Sequence, residues 1–196
     1  MAEFSLPGQL TDASDRLGVP VWLLMPLATI VVPIFTLGLV TSLGEEIGWR
    51  GYFLPHLCFL GDWAAVLLTG LAHAAFHLPI ILLTDLCHAG GNRFVVVPLF
   101  LVSVTVVGMF LGYLRLSTGS VWPAVLGHSA HNVIWNAFGA FTATSSAVTT
   151  EYVAGESGVL VILGYAALGG WLMYALTRRM GPSEASPAAS GATQDA

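Results

Sequence analysis

The sequence predicts an all-α fold, a polytopic membrane helical bundle of about five transmembrane helices, and three observations point to it. Hydrophobic residues are 56% of the chain and charged residues only 9%, whereas soluble domains are roughly 45–50% apolar. Mean hydropathy is +0.80. The apolar residues gather in runs of about 20, the length that crosses a hydrocarbon core of ~30 Å. Five such runs take up most of the chain between Pro20 and Thr177, which leaves no room for a separate soluble domain. The expected organisation is a polar N-terminal segment (1–19), a membrane-embedded domain (20–180) and a disordered tail (181–196) of Pro, Ser, Ala and Gly with little to bury.

Composition also excludes some functions. The net charge is −5, and the six basic residues are all arginine, so there is no basic surface for nucleic acid and no polybasic segment for anionic lipid. The bilayer is the expected environment. Cys58 and Cys87 form neither a disulfide framework nor a CxxC metal pair, and each reads as a small hydrophobe.

Residues 1–18 carry Glu3, Asp12 and Asp15 against Arg16 alone and lack the positive n-region of a secretory signal, so no cleavage is expected. The first span, 20–43, contains Pro20, Pro26 and Pro33, which kink a membrane helix without ending it. It runs directly into Glu45-Glu46. Asp62 is placed to cap the second span, 63–83, which bears His73 and His77 four residues apart on one face, with Pro79 bending the helix just beyond. The third span, 94–114, holds no ionisable group, and its Gly108-x-x-x-Gly112 suits close helix packing. The fourth starts at Trp122-Pro123 and carries His128, His131 and Asn132. The fifth, 158–176, stops at Arg178-Arg179.

An ionisable group near the centre of a membrane helix costs roughly 2.5–3.5 kcal/mol. A chain this poor in charge nevertheless places Glu45, Glu46 and Arg50 together, and something must use them. Glu46 and Arg50 are i,i+4 and can pair along the helix, a reading that serves structure as well as function. Glu45, rotated about 100° from Glu46, is left to face another helix. His128 and Asn132 lie about 40° apart on their helix, and His131 about 60° round the other way. His56, His73 and His88 taken singly read as packing residues. A carboxylate, two imidazoles (His77 and His128) and a carboxamide together supply a base, a proton carrier and oxyanion donors, the inventory of hydrolysis. There is no HExxH, so a zincin helix is excluded.

These residues resemble the CPBP family of intramembrane proteases, also called the Abi or type II CAAX prenyl endopeptidase family. Its motifs read here as Glu45-Glu46-Ile-Gly-Trp-Arg50, Phe76-His77-Leu78-Pro79 and His128-Ser-Ala-His-Asn132, in the family's order over about 43–136. The resemblance implies an endopeptidase acting on a peptide or membrane-associated protein. It implies that Glu45 activates water with His77, that His128 and Asn132 hold the oxyanion, and that Glu46 and Arg50 brace the site. One departure is His73, which stands where the family often has an aromatic residue. It could be an added ligand, a partner of a site residue or a packing variant. Cofactor need stays open between none and a divalent metal such as zinc, for which Glu45, His77 and His128 would be the ligands. Two other classes remain: a haem protein with His77 and His128 as axial ligands, and a non-catalytic or proton-coupled member of the same fold, in a binding or immunity role. Arg115, Arg178 and Arg179 on one side against Arg16 and Arg93 on the other favour a cytoplasmic C terminus, with the plasma membrane as the expected location.

Overall fold

The computed structural model describes residues 8–84, 91–141, 146 and 149–180. Cys87, His88 and the tail from residue 181 fall outside the described residues. Regular structure among those described is helical throughout, with no strands.

An N-terminal helix α1 (Gly8–Leu17) precedes a continuous apolar run, Val21–Leu60. At 40 residues this run is about twice what one crossing needs, and its prolines break it into pieces: α2 (Val21–Pro26), α3 (Val32–Phe35), α4 (Leu37–Glu46) and α5 (Leu54–Leu57). Two stretches between them, Leu27–Val31 and Ile47–Phe53, are π-helical. Each lies just before a proline, Pro33 or Pro55, where the missing N–H and the ring's clash one turn back disfavour the α register. Thr36, at φ −121° and ψ −108°, marks the break between α3 and α4.

The second span divides into α6 (Asp62–Phe76) and α7 (Leu78–Leu83), with His77 at the joint and Pro79 at the start of α7. Asp62 does not cap α6 as the sequence suggested. Gly61, at φ +88°, holds the cap position without a side-chain bond, and Asp62 is the first helical residue, where its charge still favours the helix N-terminus. Then come α8 (Arg93–Thr118), capped by the Asn92 side chain and ended by Gly119 at φ +69°, α9 (Trp122–Phe141) and α10 (Val159–Met180).

Among the described residues four segments are long and apolar enough to cross a membrane: Val21–Leu60, Asp62–Leu83, Arg93–Thr118 and Val159–Arg179. The protein is an integral membrane protein. The fourth expected span, α9, has the length at 20 residues, but His128, His131, Asn132 and Asn136 lower its hydropathy. Its polar face turns into the bundle, where backbone and side chains can be satisfied. In the first span the strongly apolar window has no buried residues, and Trp22, Phe35, Leu37 and Val40 face outward, toward lipid.

Helix α8 lies between α6 and α10, and α9 packs against both α8 and α4. Leu54, Val66, Met109 and Met173 form one buried cluster; Val107, Leu111 and Ala124 form another. Small residues set the α6–α8 spacing. A Cβ on Gly70 would lie 2.9 Å from the Thr105 carbonyl oxygen, and one on Gly112 would lie 2.7 Å from a Val66 methyl. A Cβ on Gly108 would meet the Gly70 Cα at 3.0 Å and Arg50 Nη2 at 3.2 Å. The GxxxG pair is thus the seam of the α6–α8 contact and also leaves room for the arginine. Because Gly70 faces backbone, which cannot rotate away, Gly70→Val should cost at least about 1–3 kcal/mol. Thermal unfolding of the purified protein in detergent should show a lowered midpoint; an unchanged one would mean that these helices part freely.

Candidate active site

The charged triplet follows from the helix geometry at the end of α4. Glu46 is completely buried and Arg50 is 1% exposed. Arg50 Nη1 donates to Glu46 Oε1 at 2.8 Å, and the same oxygen accepts from His128 Nδ1, also at 2.8 Å. The i,i+4 pair read from the sequence is therefore a three-membered bridge joining α4, the π-helical stretch and α9. Because Glu46 takes the Nδ1 proton of His128, Nε2 is the ring nitrogen left for the cavity.

The π-helical stretch has a further consequence. In its register Leu54 N–H bonds the Trp49 carbonyl, so the Arg50 carbonyl would next require the N–H of Pro55, which has none. Arg115 Nε of α8 donates to that carbonyl at 3.0 Å and fills the gap.

His73 comes from α6 and meets this group edge-on. Arg50 Nη1 approaches His73 Nδ1 at 3.2 Å, and a guanidinium can only donate. Nδ1 therefore accepts, the ring proton sits on Nε2, and Nε2–H donates to Glu45 Oε2 at 2.8 Å. Trp49 stacks on the same ring, with centroids 5.0 Å apart and planes at 27°. His77 Nδ1–H donates to the His73 carbonyl at 3.0 Å, which leaves its Nε2 lone pair available. Glu45 is only partly enclosed: its side chain is 33% exposed, opening onto a cavity of about 390 Å³ that His77, His128 and Asn132 also line. The structure thus places Glu45, His77, His128 and Asn132 on one cavity wall system, with Glu46, Arg50 and His73 behind or beside them.

The metal question turns on donor chemistry. Glu45, His73 and His77 offer ligand atoms all within 4.8 Å of one another, so His73 takes the place the sequence reading gave to His128. His73 fits that role poorly. A metal at Nε2 would displace the proton facing Glu45 while Nδ1 still accepts from Arg50, requiring lone pairs at both ring nitrogens, whereas a ligating imidazole ordinarily keeps one N–H to donate.

The cavity lining also includes Glu156, which the motifs did not include. His131 Nε2 lies 3.3 Å from Glu156 Oε1, and His131 Nδ1 lies 3.0 Å from the Tyr165 hydroxyl. Glu156 and Tyr165 are 25 or more positions from His131 in the chain, and no local spacing in the sequence links them.

Residues 26–134 match the family model for type II CAAX prenyl endopeptidase Rce1-like proteins. The chain belongs to this Rce1-like family. No curated protein and no solved structure matches it. The matched segment contains Glu45, Glu46, Arg50, His73, His77, His128, His131 and Asn132, whereas Glu156 and Tyr165 lie beyond its end. A peptide or protein substrate in a membrane follows from membership in the Rce1-like family.

Removing Arg50 from this Rce1-like site would strip Glu46 of one of two donors and leave a carboxylate under-paired in a dry interior. Arg50→Ala should cost about 3–5 kcal/mol and show as low abundance in membranes by quantitative immunoblot. Wild-type abundance with abolished activity would move Arg50 from bracing the site to the chemical step.

Proposed function

We propose that the protein is an intramembrane endopeptidase in which Glu45 is the general base for a water molecule and His128 with Asn132 receives the oxyanion. The observation carrying this reading is the Glu45 carboxylate itself. One of its oxygens is held by a histidine whose proton position is fixed by Arg50, and the other is left for water in a cavity shared with His77, His128 and Asn132.

The step balances as a hydrolysis. Glu45 takes a proton from water while His77 Nε2 accepts the second O–H and orients it. The water oxygen bonds to the peptide carbonyl carbon, and the carbonyl electrons move to oxygen. Asn132 donates a carboxamide N–H to that oxyanion, and the imidazolium form of His128, its Nδ1–H given to Glu46, would donate from Nε2. Collapse breaks the C–N bond, and the leaving amine recovers the proton from Glu45. His73 is a positioning residue: it fixes which Glu45 oxygen faces the water. The fixed His73 proton argues against a metal held by Glu45, His73 and His77, since a ligand set including His73 loses the usual second N–H.

The membrane-embedded unit comprises residues 20–180 in this reading. The arginine asymmetry supports a plasma-membrane orientation with the C terminus in the cytoplasm.

The direct test is a proteomic comparison of membranes from cells with wild-type protein and with Glu45→Gln, looking for peptides whose cleavage depends on Glu45. With a substrate in hand, Glu45→Gln should lower turnover by more than about 10²-fold, and His128→Ala and Asn132→Ala by about 10²–10³-fold each. Chelators should have little effect. Stoichiometric zinc whose removal abolishes activity and whose return restores it would overturn the metal-free mechanism, and cleavage products unchanged by Glu45→Gln would overturn the peptidase assignment to this residue.

A further inference from the structure

The ionised groups on the cavity wall do not balance. Glu45, Arg50 and Glu156 line it, but Arg50 is already paired with the buried Glu46. Glu45 and Glu156 are therefore two carboxylates facing one space with no free arginine opposite them among the described residues. Glu45 is bonded to His73 and committed to water in the reading above. Glu156 is 51% exposed, and among the described residues its Oε1 meets an imidazole, which does not carry a fixed positive charge.

Its position is built rather than incidental. The Glu156 carbonyl accepts from Ser103 Oγ on α8 at 3.0 Å, and the next residue, Ser157, is buried. Tyr152, just upstream, accepts through its hydroxyl oxygen from the Asn92 N–H at 2.7 Å. On the other side, His131 is held by the Tyr165 hydroxyl, which donates to Nδ1 and keeps the Nε2 proton on the Glu156 side. A segment between two helices is thus fastened at three points so that one carboxylate stands at the cavity wall, with Oε2 free of the His131 contact.

We propose that Glu156, oriented by His131 and Tyr165, is an acidic subsite that receives a cationic side chain, lysine or arginine, of the peptide substrate. The proposal rests on the peptidase reading and adds a substrate class to it. The recognised residue lies close to the scissile bond, because Glu156 and Glu45 share one cavity of about 390 Å³ and each extended residue advances ~3.3–3.6 Å, which puts the cation within about three residues of the bond. In a partly desolvated cavity a charge-assisted pair of this kind discriminates strongly against an opposite or absent charge.

The test uses the full chain in proteoliposomes and a set of fluorogenic peptides identical except for Lys, Ala or Glu at each of the three positions on either side of the cleaved bond. At one position the wild type should show kcat/KM about 10–100-fold higher for Lys than for Glu. Glu156→Gln should bring that ratio near one, and Glu156→Lys should invert it. The ratio is taken within one preparation, so partial misfolding of a variant cancels. In parallel, binding of the same peptides to Glu45→Gln protein is read by fluorescence anisotropy, with and without Glu156→Gln. A Lys preference in binding that Glu156→Gln removes, together with no cleavage by wild type, would retain the subsite and defeat the peptidase reading. Equal handling of Lys and Glu peptides by wild type, or a Lys preference that survives Glu156→Gln, would overturn the subsite.

Discussion

The arrangement depends on one buried oxygen. Glu46 Oε1 accepts from both Arg50 and His128, and Arg50 in turn reaches His73, so a single carboxylate ties together α4, α6 and α9. In hydrocarbon an ionised group with no partner at all is costly, because an unsatisfied polar group there costs several kcal/mol. The three helices are therefore held in one register by the donors gathered on Glu46 Oε1, and that register brings Glu45 beside His73 and His77.

Backbone chemistry extends the same constraint to α8. Pro55 lacks the N–H that the π-helical register would direct to the Arg50 carbonyl, and Arg115 supplies a donor instead. Gly108 removes the side chain that would otherwise crowd Arg50 Nη2. A residue chosen for its shape and one chosen for its charge thus both answer to the position of a single guanidinium. Glu46 Oε2, Ser42 Oγ and two Arg50 nitrogens lack partners among the described residues.

Burial separates the charged groups. Glu46 and Arg50 are almost wholly buried, while Glu45 is a third exposed to the cavity. The two adjacent glutamates differ because about 100° of helical rotation points one at α9 and the other at α6. The histidines divide similarly: His73 has both ring nitrogens engaged, whereas His77 and His128 each have one engaged and one remaining.

The sequence by itself determined the membrane bundle, the clustering of polar residues and the family, because hydropathy and short motif spacings are local properties of the chain. It also contained the Glu46–Arg50 pair, since i,i+4 neighbours meet on any helix. Only the tertiary structure decided that His128 shares Glu46 with Arg50, that His73 holds Glu45, and that Glu156 and Tyr165 join His131. Each of these contacts links residues at least 25 positions apart, and their meeting depends on how helices cross, which side-chain volumes such as those missing at Gly70, Gly108 and Gly112 set and no local pattern records. The polarity of α9 shows the same division. Hydropathy alone ranks it below the other spans, and its place inside the bundle follows from the partners that the fold brings to its histidines.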